Sequence, residues 1–137
     1  LLRYEGIEFV LISPEELKLP SYNKNAMDEA GAKWIETASL EYALPELDVL
    51  YMTRVQKERF FNEEDYVRLK DTYILDEQKL ESAKVDLVIM HPLPRVNEIS
   101  VEVDNDPRAK YFDQVKNGRY VRMALILMLL GIEGGLR

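Results

Sequence analysis

A chain of 137 residues with 18 basic and 25 acidic side chains carries a formal charge of −7, and 47% of it is hydrophobic. That size and balance describe one globular domain able to bury its own core, and they exclude wholesale disorder. The lack of cysteine and the single histidine exclude disulfide scaffolds, thiolate metal sites and clustered-histidine zinc sites, and the acidity disfavours bulk nucleic-acid binding.

The chain opens Leu1-Leu2-Arg3, with no Met and no signal-peptide pattern. This is the opening expected of the back part of a longer polypeptide. Residues 7–12 are nearly apolar throughout and predict a strand. Ser13-Pro14-Glu15-Glu16 follows, with a capping serine, a proline at the first helical position and a glutamate at the third; it predicts a helix start. Residues 22–30 predict a helix closed by Gly31. Weaker strand character lies at 33–36 and strong strand character at 48–52. Asn62 is placed to cap a helix to about residue 70. Residues 72–75 predict a short strand, Asp76 caps a helix to about residue 83, and 86–90 is a strong strand. Asp106-Pro107 opens a helix toward residue 116. A last helix spans about 119–130 and stops at Gly131. Its apolar run, residues 123–130, is far short of the roughly 20 residues that cross a bilayer, so it predicts a packed helix and no membrane partner.

Strands apolar on both faces, alternating with helices, predict a three-layer αβα fold with an open, mainly parallel sheet of Rossmann-like type. In such sheets ligands bind beyond the carboxyl ends of the strands. No glycine-rich phosphate loop and no Ser-His-Asp spacing is present, which disfavours dinucleotide binding and nucleophilic hydrolysis.

Two strand ends carry unusual chemistry. After Met52 comes Thr53-Arg54-Val55-Gln56-Lys57-Glu58-Arg59, with three cations in an acidic protein. In extended backbone Arg54 and Gln56 point the same way, and an arginine fork beside an amide suits a carboxylate. A solvated basic turn is the plainer alternative. After Met90 comes His91-Pro92-Leu93-Pro94-Arg95. The prolines remove two donors and stiffen the turn, leaving the carbonyls of Pro92 and Leu93 open to a ligand's N–H groups, with Leu93-Pro94 a candidate cis bond. A rigid strand terminator is the alternative here. His91 is either an acid–base group or, more commonly for a lone histidine beside a strand, a satisfied structural residue.

Together these segments resemble the second half of the catalytic chain of the aspartate carbamoyltransferase family. The resemblance rests on Tyr51 through Arg59, on His91-Pro92-Leu93-Pro94-Arg95-Val96-Asn97-Glu98-Ile99, on Val103-Asp104, on Ala109-Lys110-Tyr111-Phe112 and on residues 118–130, in that order. It implies transfer of the carbamoyl group of carbamoyl phosphate to the amine of L-aspartate, in pyrimidine biosynthesis, with no cofactor and no metal. It implies that Arg54 and Gln56 hold the aspartate side-chain carboxylate and that Pro92, Leu93 and Arg95 form the catalytic turn. Lys57, Glu58, Arg59 and Tyr66 would belong to a loop that moves on domain closure. Residues 1–118 would form the aspartate-binding domain. Residues 119–137 would form a helix packing on a carbamoyl-phosphate domain that precedes this chain, without which the chain would not turn over. Alone, that helix would be exposed and drive self-association. The family is a cytoplasmic homotrimer of catalytic chains, with or without regulatory chains.

Departures are also legible. Asn97 stands where the family often has an acid, which would weaken a bond to Tyr66. The ornithine-specific relatives usually have a cysteine where Pro92 stands and lack the Thr53–Arg59 run, so aspartate is the expected substrate. A catalytically dead structural homologue is the remaining alternative, against which the intact Arg54, Gln56 and 91–95 turn argue.

Overall fold

The computed structural model describes residues 1–54, 64, 67 and 73–132. The first strand, β1 (Glu8–Ile12), pairs in parallel with β2 (Lys33–Thr37). Their aliphatic and aromatic side chains suit a pleated surface, and Glu8 faces Lys33 in register, with Nζ 2.7 Å from Oε1. Between them runs α1 (Ser21–Glu29). It ends as expected at Gly31, whose φ of +66° is the left-handed position where a side chain is disfavoured. The helix is tied to β2 by Trp34 Nε1 donating to Asp28 Oδ1 (2.8 Å) and by Lys24 reaching Glu36 (3.1 Å).

The second pair is also parallel: β3 (Val49–Tyr51) against β4 (Val88–Met90). The last rung of this pair is Met52 N–H donating to the Met90 carbonyl at 2.9 Å. On its other side, β4 is bridged to Ala109 through Ile89 N–H to Arg108 O and Lys110 N–H to Ile89 O, both 2.9 Å. The parallel strands with intervening helices are the expected α/β arrangement. Among the described residues they form two two-stranded pairs. Residues 73–75 contribute a single bridge, Leu75 to Ile99, in place of the expected strand. The first pair is not buried on both faces as the sequence predicts, since Ile35 is 53% exposed.

The helices correct the sequence in several places. Ser13 caps nothing: the segment after it is one 3₁₀ turn, Glu15–Leu17, entered from Pro14 without a side-chain cap. A short helix that the sequence pattern does not predict, α2 (Leu40–Ala43), is capped by Ser39, whose hydroxyl accepts from Tyr42 N–H at 3.1 Å. The two predicted C-terminal helices are one, α4 (Tyr111–Leu129), which begins at Tyr111 and not at Asp106-Pro107, and passes through Gly118 without a break, so the expected boundary at residue 118 lies inside a continuous helix. A lone helical glycine costs about 1 kcal/mol and does not stop a helix held by its flanks. The expected Asp76 cap is present, with Oδ1 accepting from Lys79 N–H at 2.8 Å, but the helix it opens, α3 (Glu77–Leu80), is a single turn. The expected helix at 62–70 lies outside the described residues.

The core gathers where α2, β3, β4 and the start of α4 meet. Leu44, Leu50, Leu75, Leu87, Ile89, Val103 and Tyr111 are buried there. Burying each such aliphatic side chain contributes about 1.5–3 kcal/mol. The far half of α4 contrasts with this: Leu125, Ile126, Met128 and Leu129 are all more than half exposed. Among the described residues no helix is long and apolar enough to cross a membrane.

Candidate functional site

The carboxyl ends of β1, β3 and β4 surround a cleft of about 450 Å³. Ser13 and Pro14 follow β1, Thr53 and Arg54 follow β3, and His91 to Pro94 follow β4; Tyr73 closes one side. This is the place that the parallel-sheet rule assigns to ligands. The Met52–Met90 rung brings the segments after β3 and β4 together, for Thr53 and His91 are the next residues on the two strands.

Arg54 is exposed on the cleft wall. Among the described residues no partner holds its guanidinium, so the fork is available to an anion. Gln56, Lys57, Glu58, Arg59 and Tyr66 lie outside the described residues. The turn after β4 contains the expected cis bond, between Leu93 and Pro94, and Leu93 adopts φ +46°. A non-glycine residue there is uncommon and is held by its surroundings. Among the described residues no donor reaches the carbonyl of Pro92 or of Leu93, which leaves both as acceptors at the cleft.

His91 is 1% exposed and its hydrogen-bonding capacity is filled. Its backbone N–H donates to Gln114 Oε1 (3.0 Å), its Nδ1 accepts from Leu93 N–H (2.8 Å), and its Nε2 lies 2.7 Å from Glu98 Oε1. The structural reading of this histidine is the one its surroundings support. Burial pushes the Glu98 carboxyl up, but N–H donors of its own backbone and Val96, with the His91 ring, outweigh that and leave it below its ordinary value.

Arg95 does not reach the cleft. Its two-armed fork grips Asp104, with Nη2 2.7 Å from Oδ2 and Nη1 on Oδ1, and its guanidinium lies 5.6 Å from the Tyr111 ring centroid. The bond to Arg95 holds Asp104 below the usual carboxylate range, while burial and the Asp104 bond push the Tyr111 phenol up to about 12. The residue therefore braces the 91–95 turn against the start of α4.

Several contributors carry no local sequence signal. Gln114, on the first turns of α4, links His91 to Tyr51 through Nε2 to the phenol oxygen at 3.1 Å. Tyr73 donates to the Ala38 carbonyl (3.0 Å), and burial, then the charges of Glu41 and Glu16, raise its phenol above the ordinary value. Only tertiary pairing reveals these roles. Glu98, in contrast, sits within the 91–99 motif and is legible as part of it.

A family profile described as the Asp/Orn binding domain of aspartate/ornithine carbamoyltransferase matches residues 1–129. The aspartate carbamoyltransferase catalytic subunit of Lachnoclostridium phytofermentans is 62% identical over 133 residues, 96% of this chain and 43% of that protein. That of Clostridium acetobutylicum is 63% identical over 131 residues, again 43% of its length. Among solved structures, the catalytic subunit of M. jannaschii aspartate transcarbamoylase superposes with a TM-score of 0.84 at 39% identity, covering 98% of this chain and 43% of that one. Aspartate transcarbamoylase from Trypanosoma cruzi, in complex with carbamoyl phosphate and aspartate, superposes at 0.79 with 32% identity, covering 91% of this chain and 42% of that one. The chain thus spans less than half the length of the relatives it matches.

Proposed function

Because this chain belongs to the aspartate/ornithine carbamoyltransferase family, we propose that it is the aspartate-binding part of an aspartate carbamoyltransferase. The observation that carries this is the cleft that Arg54, without a partner among the described residues, lines together with Pro92 and Leu93, whose carbonyls no described donor reaches. Arg54, with Gln56 beside it in sequence, holds the side-chain carboxylate of L-aspartate through charge-assisted bonds. The carbonyls of Pro92 and Leu93 accept from the substrate amine and the carbamoyl amide. The neutral amine attacks the carbonyl carbon of carbamoyl phosphate. A C–N bond forms, an oxyanion develops, and the C–O bond to phosphate breaks as the amine's proton passes to the departing phosphate. Positioning and charge complementarity supply most of the acceleration in such a step.

Carbamoyl phosphate is held mainly by the portion of the relatives' length that these 137 residues do not span, and turnover uses both portions. The exposed end of α4 docks on that portion. Lys57, Glu58, Arg59 and Tyr66 act in closure, and Arg95 supports the turn. The complete enzyme is a cytoplasmic homotrimer, with or without regulatory chains, serving pyrimidine biosynthesis. Pro92 in place of a cysteine, and Arg54 with Gln56, favour aspartate over ornithine.

The test is product formation by this chain joined to the preceding half of a relative. Carbamoyl-aspartate is expected with aspartate, and no product with ornithine. Efficient carbamoylation of ornithine would overturn the substrate assignment.

A further inference from the structure

We propose that His91 and Glu98 are positioning residues for this transfer: Glu98 fixes the tautomer of His91, and the tautomer holds the Pro92–Leu93 backbone in its ligand-ready shape. The inference rests on the reading of the cleft as the carbamoyl-transfer site, but its physical core does not.

The argument follows the protons. Glu98 is 3% exposed. Its Oε2 accepts from the backbone N–H groups of Val96 (3.0 Å) and Asn97 (3.1 Å). Held ionised by these donors, the carboxylate offers only acceptors, so Oε1, 2.7 Å from His91 Nε2, requires a proton on that nitrogen. Nδ1 faces Leu93 N–H at 2.8 Å and must accept. A neutral ring protonated on Nε2 satisfies both neighbours. The opposite tautomer sets donor against donor at Leu93 and acceptor against acceptor at Glu98. A doubly protonated ring satisfies Glu98 and loses Leu93. With His91 at 1% exposure, no solvent is at hand to relieve either mismatch.

What the ring holds matters for the ligand. Leu93 stands at φ +46°, a conformation that a branched side chain rarely takes. The Nδ1 bond, from two residues upstream, satisfies the amide of that residue in the turn and so favours this backbone over the ordinary extended one. Its carbonyl and that of Pro92 are the acceptors the transfer uses. A second clamp comes from Gln114, which takes the His91 backbone N–H. The buried carboxylate therefore acts on the substrate without touching it.

The chain contains a single histidine, so a ¹⁵N-histidine-labelled sample of the 137-residue chain reports this ring alone. Wild type is expected to show the neutral Nε2–H pattern. Glu98→Gln offers the ring an amide donor and is expected to shift it toward Nδ1–H. In the completed enzyme, Glu98→Gln and His91→Gln are expected to lower kcat/KM for aspartate at least tenfold. His91→Asn keeps an acceptor two residues before Leu93 N–H and is expected to stay roughly tenfold more active than His91→Gln, the size of one hydrogen bond. A merely structural histidine predicts equal losses in the two, tracking their melting temperatures, and that result overturns the proposal. So does an Nδ1–H ring in wild type. An Nε2–H ring combined with unchanged aspartate kinetics in Arg54→Ala overturns the site reading instead.

Discussion

Arg95 and Asp104 meet fork to fork, Nη2 to Oδ2 at 2.7 Å, with the guanidinium lying against the Tyr111 ring. The pair joins the turn after β4 to the 3₁₀ segment Val101–Asn105 and the first turn of α4. Both partners are partly exposed, 15% and 26% at the side chain, so solvent screening discounts the pair. Arg95→Ala is expected to cost about 1–3 kcal/mol, roughly 4–12 °C in melting temperature. Arg95→Lys restores only part of it, because an ammonium cannot make the two-armed bond. Thermal unfolding of the three proteins checks this.

Arg54→Ala should behave in the opposite way. The residue is exposed and contributes little to folding, so the melting temperature should change by less than about 2 °C. In the completed enzyme the KM for aspartate should rise between roughly 10- and 100-fold, the loss of one charge-assisted contact. Steady-state kinetics with varied aspartate measures it, and an unchanged KM removes Arg54 from the site.

Gly118→Ala is expected to stabilise the chain by about 0.5–1 kcal/mol. The added methyl would meet Arg122 Nη1 at 3.6 Å, an ordinary contact with the mobile end of a side chain. Differential scanning calorimetry gives the sign directly, and a fall in melting temperature would show that α4 is more crowded at this point.

Stability should fall on acidification. Asp104, Asp106 and Glu98 all lie below their ordinary values of 3.8 and 4.5, Asp104 and Asp106 through their bonds to Arg95 and Arg108, and Glu98 through donors that outweigh its burial. A depressed folded-state pKa gives stability that is full above the unfolded value and is lost as pH drops through the folded one. Urea midpoints should be level from pH 7 to about 5 and decline below about 4.5, with a shallower decline in Asp106→Asn. At the other extreme Tyr111, pushed up to about 12 from 10.0, withdraws its contribution between those two values.

The 137-residue chain should self-associate through α4. Met128 and Leu129 are 77% and 78% exposed, and such apolar surface rarely stays bare. Sedimentation should show concentration-dependent association, reduced by the double substitution Met128→Lys with Leu129→Lys. A clean monomer at all concentrations removes this expectation.

The strand positions were legible because Val10, Leu50 and Ile89 lie in short runs of β-formers bounded by turns, and the site's place followed from parallel topology. Gly31 and Asp76 announced helix ends because their roles are local. Ser13 misled for the converse reason: a Ser-Pro-Glu-Glu string states a preference for a helix start, and the chain used only one turn of it. The joining of α4 across Gly118 depends on Tyr111 being anchored in the core at one end, which no local window contains. Arg95 read as part of the catalytic turn because adjacency in sequence says nothing of direction, and Asp104 and Tyr111, 9 and 16 residues on, take its side chain. Gln114 and Tyr73 were invisible because polar residues on a helix and near a strand end are ordinary until their partners are known.

The rung from Met52 N–H to the Met90 carbonyl has a further consequence. Neighbouring strands stand about 4.8 Å apart whatever their side chains. The two jaws of the cleft, one carrying Arg54 and the other Pro92 and Leu93, therefore start from a baseline that backbone geometry sets and mutation cannot lengthen. Any retuning of this grip for a longer or shorter ligand has to be written in the side chains and loops that leave the rung, since the hinge pin itself has only one width.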